Sequence, residues 1–371
     1  MMERVQRVNI AVQPRSYEVW IESGLLTRAG AHLRELLGGR ERLFVVTNPA
    51  VRRQWGKKLM SALAASGFEA KFVEMSDGER YKRLATIELL AEKLSRLGAD
   101  RNAVLVAFGG GVVGDVAGLL ASLYMRGVDV IQVPTTVLAQ VDASIGGKTG
   151  VNLPAGKNLL GTFHQPRAVL IDPAVLSTLP EREFRSGLYE ALKCGVIGNA
   201  ELFHQFEQNK DKILKRDHAA LEWVIAESVK LKASVVSADE KENGLRRVLN
   251  FGHTIGHALE AETAYRGLLH GEAVAWGMIA AAHIAEITGK TDVATAERIR
   301  GAVLGLGPLP ALEIRTRNIL RRLQADKKTR DGVVHFVLPR QIGKVEVATD
   351  VPENSIRQAL HEIRRLSHLQ L

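Results

Sequence analysis

Cysteine is nearly absent from this chain: Cys194 is the single one in 371 residues, so no disulfide can form within it. This scarcity is typical of proteins in a reducing cytoplasm, and we expect Cys194 to be a small buried residue. The first residues, MMERVQRVNIAV, contain no apolar stretch long enough for a signal peptide. We therefore expect a cytoplasmic protein.

Long apolar runs are also missing. The longest covers residues 273–282 and continues past His283 to Ile287, and it follows a histidine and a glutamate. It is too short to cross a bilayer. We expect a buried helix there and no membrane partner.

Aromatic residues are scarce at 5% of the chain, and no block of lysine or arginine is long enough to form a stripe. The net charge of +9 is therefore not expected to serve nucleic acid. Several lysines instead lie among glycines or within motifs, which favours small anionic ligands. They are Lys148, Lys157, Lys193, Lys232 and Lys327.

The first half of the chain alternates β-rich runs with helical patterns. The predicted strands are VNIAV (8–12), YEVWIES, RLFVVTN, EAKFVEM, AVLVAFGG, DVIQVPTT and AVLIDP. Such alternation predicts a mostly parallel sheet with helices on both faces. From about Pro180 the spacing is helical. We expect a Rossmann-like α/β nucleotide-binding domain at 1–179 and a mainly α-helical metal-binding domain at 180–371.

A glycine turn follows the fifth predicted strand, in VLVAFGGGVVGDVAG (104–118). Its glycines match G-x-G-x-x-G and open a helix, where the backbone can approach a pyrophosphate closely. The alternative is a tight turn with close helix packing. Downstream, Thr135 and Thr136 end a strand, and Lys148 and Lys157 lie beside glycine turns. Their concentration near a nucleotide site indicates a phosphate-binding region.

Histidines cluster in RRVLNFGHTIGHALE and LLHGEAVAWGM. His253 and His257 are four residues apart and share a helix face, and His270 follows. These histidines either are satisfied core residues or bind a metal. Glu190 lies in an apolar helical pattern, where it forms either an ion pair with Lys193 or the oxygen ligand of that metal.

Nine segments together resemble the 3-dehydroquinate synthases, which belong to the sugar phosphate cyclases. These are DGERYK, GGGVVGDVAG, YMRG, PTTVLAQVDASIGGKTGVN, GKNLLGTFHQP, GLYEALKCG, RRVLNFGHTIGHALE, HGEAVAWGM and ADKKTRDGVVHFVLP. The resemblance implies a phosphate-eliminating lyase of the shikimate pathway that makes 3-dehydroquinate from 3-deoxy-D-arabino-heptulosonate 7-phosphate, a phosphorylated sugar acid. It also implies that bound NAD takes up a hydride and returns it, before ring opening and an intramolecular aldol closure.

The resemblance also implies roles for individual residues. A divalent metal, zinc or cobalt, would be bound by Glu190, His253 and His270, with His257 contacting substrate instead. Arg126 would reach the pocket of a second subunit, which implies a homodimer. The implied substrate positions are Asp142, Lys148, Lys157, Asn158, Lys193, Lys232, Glu242, Arg246, Asn250, His257 and Lys327. The implied NAD positions are Asn48, Glu79, Lys82, Gly111, Gly114, Asp115, Thr135, Thr136 and Thr178.

Three other functions compete with this interpretation. Another sugar phosphate cyclase, such as one acting on the amino analogue of the substrate, would share most of the motifs. A metal-dependent polyol dehydrogenase would share the architecture but would not need the lysine-rich segments. A non-catalytic NAD- or metal-binding regulator would not need the full set of pocket residues.

Overall fold

A computed structural model describes residues 5–13, 15–242, 244–263, 265–325 and 334–369. Lys327 lies outside the described residues. The chain forms two compact units, one of Met1–Pro180 with Leu221–Lys241 and the other of Glu181–Ala220 with Glu242–Leu371. Strands and helices are numbered below in chain order.

The first unit is built on a seven-stranded sheet with the order β1-β2-β9-β6-β5-β3-β4. Only the β1–β2 pair is antiparallel, and every other neighbouring pair is parallel. The strands are β1 (Gln6–Ile10), β2 (Tyr17–Ile21), β3 (Arg42–Thr47), β4 (Glu69–Glu74), β5 (Val104–Gly109), β6 (Asp129–Pro134) and β9 (Ala168–Ile171). All seven predicted strands are present, and β1 begins two residues earlier than expected.

Both faces of this sheet are buried. Along β5, Val104, Val106 and Phe108 contribute to one hydrophobic core, whereas Leu105 and Ala107 contribute to another. Successive side chains of a strand point to opposite faces, so these are the two faces of the sheet. The expected α/β architecture is confirmed. The helices of this unit are α1 (Ala29–Leu37), α2 (Pro49–Val51), α3 (Lys57–Ala65), α4 (Leu84–Arg96), α5 (Gly111–Leu123) and α9 (His218–Ala238).

The glycine-rich segment after residue 146 is not a set of bent loops, as its composition suggested. It forms an antiparallel hairpin of β7 (Lys148–Leu153) and β8 (Gly156–Phe163). Glycine permits this close pairing, because a Cβ at Gly161 would lie 2.0 Å from the carbonyl oxygen of Thr149. Lys148 and Lys157 are therefore strand residues rather than loop residues.

The second unit is mainly helical. Its helices are α6 (Glu181–Gly198), α7 (Ala200–Gln208), α8 (Lys210–Leu214), α10 (His253–Glu262), α11 (His270–Ile287), α12 (Val293–Gly305), α13 (Thr316–Ala325) and α14 (Glu353–His368). A hairpin of β10 (Phe336–Gln341) and β11 (Lys344–Ala348) completes it. The apolar run at 273–282 is fully buried within α11, as predicted. Among the described residues, no helix is both long and apolar enough to span a membrane.

Helix α9 belongs to the first unit although it follows α6 to α8 in sequence. Its Glu222 carboxylate accepts a hydrogen bond from the Ser23 backbone at 3.0 Å, and Ser237 Oγ accepts one from the Ala11 backbone at 2.9 Å. A single boundary near residue 180 does not describe this organisation, because the chain leaves the first unit and returns to it.

Candidate active site

Three helices of the second unit bring one carboxylate and two imidazoles together. Glu190 lies in the middle of α6, His253 is the first residue of α10 and His270 is the first residue of α11. The Nε2 atoms of His253 and His270 each lie 3.6 Å from Glu190 Oε1. One ligand atom from each residue lies within 4.8 Å of the others, a spacing suited to a single metal ion.

Glycines allow these helices to pack closely enough for that geometry. A Cβ at Gly277 of α11 would lie 1.8 Å from the carbonyl oxygen of Gly252, which precedes α10. A Cβ at Gly271 would lie 1.8 Å from the carbonyl oxygen of Ser186 on α6. Helix α11 therefore touches the backbone of both neighbours, and this contact fixes where the ends of α10 and α11 lie relative to Glu190.

The hydrogen bonds of the two imidazoles determine which nitrogen faces Glu190 with a lone pair. His253 Nδ1 lies 3.1 Å from the carbonyl oxygen of Phe251, and His270 Nδ1 lies 3.2 Å from Glu260 Oε2. A carbonyl or carboxylate oxygen can only accept, so each Nδ1 carries the hydrogen. In the neutral ring, Nε2 is then an acceptor.

Glu190 is fully buried, and its Oε1 accepts no hydrogen bond from the residues that the structure describes. The Lys193 ammonium group forms an ion pair with Oε2 at 2.5 Å, on the oxygen opposite the one that faces the imidazoles. When both rings are neutral, Glu190 Oε1 and the two Nε2 atoms are three acceptors that face one another, and this set of one oxygen and two nitrogens suits zinc or cobalt.

His257 lies beside this cluster. Its ring centroid is 5.2 Å from that of His253 and 5.9 Å from that of His270. His257 also belongs to a second possible ligand group with Glu260 and His270. Glu260 was not identified from the sequence, although it lies on the same face of α10 as His253 and His257.

Other predicted residues of the second unit lie in or just before the 3-10 helix Leu245–Asn250, which precedes α10. Arg246 is 2% exposed, and Asn250 Nδ2 donates to Glu242 Oε1 at 3.2 Å. Glu242 has a φ of +61°, which is uncommon for a residue with a side chain. Asn158 and Arg126, in the first unit, also have positive φ values, of +54° and +67°. Such strained positions are frequent at functional sites.

In the first unit, Lys82 connects elements that are distant in sequence. Its ammonium group donates to Asp115 Oδ2 on α5 and to Asn158 Oδ1 on β8. The Lys82 side chain is 6% exposed. Burial raises the pKa of the Asp115 carboxyl group, and the adjacent Lys82 charge opposes that rise. The cluster is extended by Asn152, which donates to Glu79 Oε1 at 2.8 Å and accepts from the Asn158 backbone at 2.9 Å.

A second buried lysine of this unit is Lys232 on α9. Its Nζ donates to Asp142 Oδ1 at 2.7 Å and also to the Asp142 carbonyl oxygen. The Lys232 side chain is 6% exposed. These contacts explain why α9 packs with the first unit, because a buried ammonium group needs such acceptors.

The predicted NAD positions follow the carboxyl ends of parallel strands. Asn48 follows β3 and caps α2 by accepting from the Val51 backbone at 2.9 Å, and it donates to Asp77 at 2.8 Å. Thr135 and Thr136 follow β6. Ligands of doubly wound sheets bind at this edge. Thr178 Oγ1 accepts from Trp55 Nε1 at 2.9 Å.

In the glycine turn between β5 and α5, one position in particular leaves room for a ligand to approach the backbone closely. A Cβ at Gly111 would lie 3.4 Å from Ala143 Cβ, an ordinary contact. At Gly114 it would lie 2.9 Å from Gln132 Oε1, so a side chain there would also displace the Gln132 amide. Gly111 is the cleaner test of the predicted dinucleotide contact.

Comparison with known proteins agrees with the motifs. The N-terminal and C-terminal profiles of 3-dehydroquinate synthase match residues 72–186 and 187–329. A 3-dehydroquinate synthase of Koribacter versatilis is 57% identical over 363 residues, covering 98% of this chain and 99% of that protein.

Two solved structures are also similar along nearly the whole chain. The 2-epi-5-epi-valiolone synthase of Streptomyces hygroscopicus, with NAD+ and Zn2+ bound, has a TM-score of 0.87 and 32% identity and covers 96% of this chain and 99% of its own. A 2-deoxy-scyllo-inosose synthase, complexed with carbaglucose-6-phosphate, NAD+ and Co2+, has a TM-score of 0.86 and 27% identity and covers 96% and 100%. With both profiles matched and a relative of this identity aligned end to end, the chain belongs to the 3-dehydroquinate synthase family.

Proposed function

We propose that this chain is a 3-dehydroquinate synthase, which converts 3-deoxy-D-arabino-heptulosonate 7-phosphate into 3-dehydroquinate and phosphate without net oxidation. The identity to the Koribacter versatilis enzyme supports this choice among the cyclases. The observation that carries it is the buried Glu190 carboxylate facing two imidazole Nε2 atoms at 3.6 Å.

The proposed cofactors are NAD and one divalent ion, zinc or cobalt. When bound, NAD supplies a reversible hydride acceptor and the ion a Lewis acid that polarises substrate oxygens. Glu190, His253 and His270 would hold the ion and leave an open position for substrate. The proposed NAD contacts are Asn48, Glu79, Lys82, Gly111, Gly114, Asp115, Thr135, Thr136 and Thr178.

The second unit contributes proton-handling and charged groups in this proposal. His257 relays protons at its ring nitrogens, and Asn250 orients substrate hydroxyl groups through its side-chain amide. Arg246 binds the substrate carboxylate, for which a buried guanidinium offers two parallel donors. Lys193 lies against Glu190, and we assign its ammonium group to the substrate phosphate as well.

The first unit contributes anion-binding groups and their supports. Lys148 begins β7 and Lys157 and Asn158 lie on β8, and we assign these residues to the substrate and its phosphate. Lys232 is assigned to the carboxylate end of the substrate, with Asp142 holding its ammonium group in place. Glu242 of the second unit is assigned to orienting Asn250, to which it is hydrogen-bonded.

A direct assay tests the reaction. The protein is incubated with the heptulosonate phosphate, NAD and Zn2+ or Co2+, and phosphate and 3-dehydroquinate are measured in equal amounts, with no lasting NADH. Stoichiometric NADH would identify a dehydrogenase instead. Faster turnover of a heptulose 7-phosphate that lacks the carboxylate, or of the amino analogue, would identify another cyclase of the same family.

The cytoplasmic homodimer is part of the same proposal, with Arg126 acting in the pocket of the other subunit. The test mixes an Arg126→Ala protein with a Lys193→Ala protein, each inactive alone, and lets subunits exchange. A mixed dimer then has one pocket with both defects and one with neither, so activity returns. If subunits demonstrably exchange and no activity returns, Arg126 does not act across subunits.

A further inference from the structure

Glu260 lies in the last turn of α10 with its carboxylate directed at His270. It is 3% exposed, and its Oε2 lies 3.2 Å from His270 Nδ1. Its own backbone is anchored, because its carbonyl oxygen accepts from the Tyr265 backbone at 2.8 Å and from Thr263 Oγ1 at 3.1 Å. The backbone that carries the Glu260 carboxylate is therefore held in place beside the imidazole.

We propose that Glu260 is a positioning residue that orients His270 and fixes its tautomer, so that Nε2 presents a lone pair toward Glu190. The inference rests on the proposed metal site. A carboxylate that accepts from Nδ1 keeps the ring hydrogen on that atom and makes Nε2 a stronger electron donor.

The two histidines of the cluster differ in a way that explains why His270 needs this support. His253 is 11% exposed at its side chain and is held by the neutral carbonyl group of Phe251. The His270 side chain is 29% exposed, so water can compete for its ring nitrogens. A hydrogen bond to an ionised group is about twice as strong as a neutral one, and Glu260 supplies such a carboxylate acceptor to the more exposed of the two rings.

A competing role for Glu260 is that of a metal ligand together with His257 and His270. The geometry favours positioning, because Oε2 already lies within hydrogen-bond distance of His270 Nδ1. Oε1 of Glu190, which accepts no hydrogen bond from the described residues and faces both imidazoles, is better suited to the ion itself.

The experiment compares two substitutions of nearly equal size. Glu260→Gln keeps an oxygen that can accept from Nδ1, whereas Glu260→Met fills the volume and removes the acceptor. The matched control is Glu262→Ala on the same helix, where the carboxylate pairs with Arg322 at 3.0 Å and accepts from Asn318 at 2.7 Å. Co2+ affinity is measured by competition with a chelator, and the visible spectrum of the Co2+-loaded protein reports its coordination. Metal-free melting temperatures verify that each variant folds.

We expect Glu260→Met to weaken Co2+ binding about 10- to 100-fold and to change the visible spectrum. Glu260→Gln should stay closer to the wild type, and Glu262→Ala should bind Co2+ like the wild type. A loss below about threefold in Glu260→Met, or equal losses in the Met and Gln variants, overturns the positioning role. So does complete loss of Co2+ in both, which would make Glu260 a ligand.

Glu190→Gln separates this inference from the proposed function. If it does not weaken Co2+ binding, or if the wild type binds none, the proposed metal site is wrong and the inference fails with it. If Glu190→Gln loses Co2+ while Glu260→Met keeps it, only the inference fails.

Discussion

The two buried polar clusters of this protein balance their charges differently. In the first unit, Lys82 faces Asp115 and Asn158, so a cation meets acceptors from the same chain. In the second unit, Glu190 Oε1 faces the acceptor nitrogens of His253 and His270. The first arrangement pairs its charges within the chain, whereas in our proposal a divalent ion completes the second. Removing a residue should therefore affect folding stability in the first and ligand content in the second.

The largest effect is expected from a substitution that breaks the second cluster. His253→Ala should reduce metal content from about one ion per chain to nearly none and abolish activity, because two ligands bind too weakly. His257→Ala should abolish activity but retain metal. Elemental analysis of the purified variants measures both. Equal loss of metal from the two variants would show that the ligand set is wrong.

The next effect concerns the first cluster. Lys82→Met should lower the free energy of unfolding by about 2–3 kcal/mol, because a hydrogen-bonded charge loses its partner while Asp115 remains mostly buried. Metal content should not change. Urea unfolding at neutral pH measures the difference. Lys82→Met combined with Asp115→Leu should recover part of the loss. Simple addition of the two single effects would mean that these side chains do not stabilise each other.

A smaller effect is expected from a substitution that tests whether NAD binds by close approach to the backbone of the first unit. Gly111→Val should raise the Kd for NAD about tenfold or more, equivalent to about 1.4 kcal/mol, because a branched side chain keeps the pyrophosphate away. Calorimetric titration measures it. Gly111→Ala is the matched variant, since its Cβ fits at 3.4 Å from Ala143. Wild-type affinity in a folded Gly111→Val protein would place the dinucleotide elsewhere.

The smallest effect is expected at a more exposed ion pair, which serves as the reference against which the two buried clusters are compared. Arg298 hydrogen-bonds Glu207 at 2.7 Å and lowers the pKa of that carboxyl group. Arg298→Ala should lower the free energy of unfolding by less than about 1 kcal/mol at neutral pH. Because the folded pKa is lowered, this stabilisation is present above the ordinary carboxyl pKa of about 4.3 and is lost as the pH falls through the lowered value. Unfolding curves at two pH values measure it. A larger decrease in the free energy of unfolding that persists at acidic pH would contradict this explanation.

Much of the fold could be predicted because its signals are local. The apolar run of β5 and the glycines that follow it sufficed to predict a strand, a turn and a helix. The β7–β8 hairpin was missed because its glycine-rich segment lacks the alternation of a strand, with Val151 as the one apolar side chain of β7 that is fully buried. Nor could helical spacing tell that α9 packs with the first unit, because spacing does not say which core a helix faces.

The site could be predicted only in part for a similar reason. Histidine spacing on α10 and α11 indicated a metal site, but the residues alone left Glu190 as either a ligand or an ion-pair partner of Lys193. In the structure, Glu190 forms the ion pair with Lys193 through Oε2 and also faces the imidazoles with Oε1. Glu260 gave no signal, because an acid near the end of a helix is usually solvated, whereas tertiary packing leaves this one 3% exposed.

The return of α9 to the first unit has a consequence for how the protein is made. The first unit cannot finish folding when residue 180 has been synthesised, because Lys232 and the rest of Leu221–Lys241 do not yet exist. At about 5–20 residues per second, the ribosome needs roughly 3–12 s to reach the end of that segment. During this interval Asp142 has no lysine partner from α9, and residues 181–220 of the second unit are already emerging. The two units must therefore mature in overlapping periods, and a slow codon stretch after residue 180 would prolong the exposure of an incomplete core.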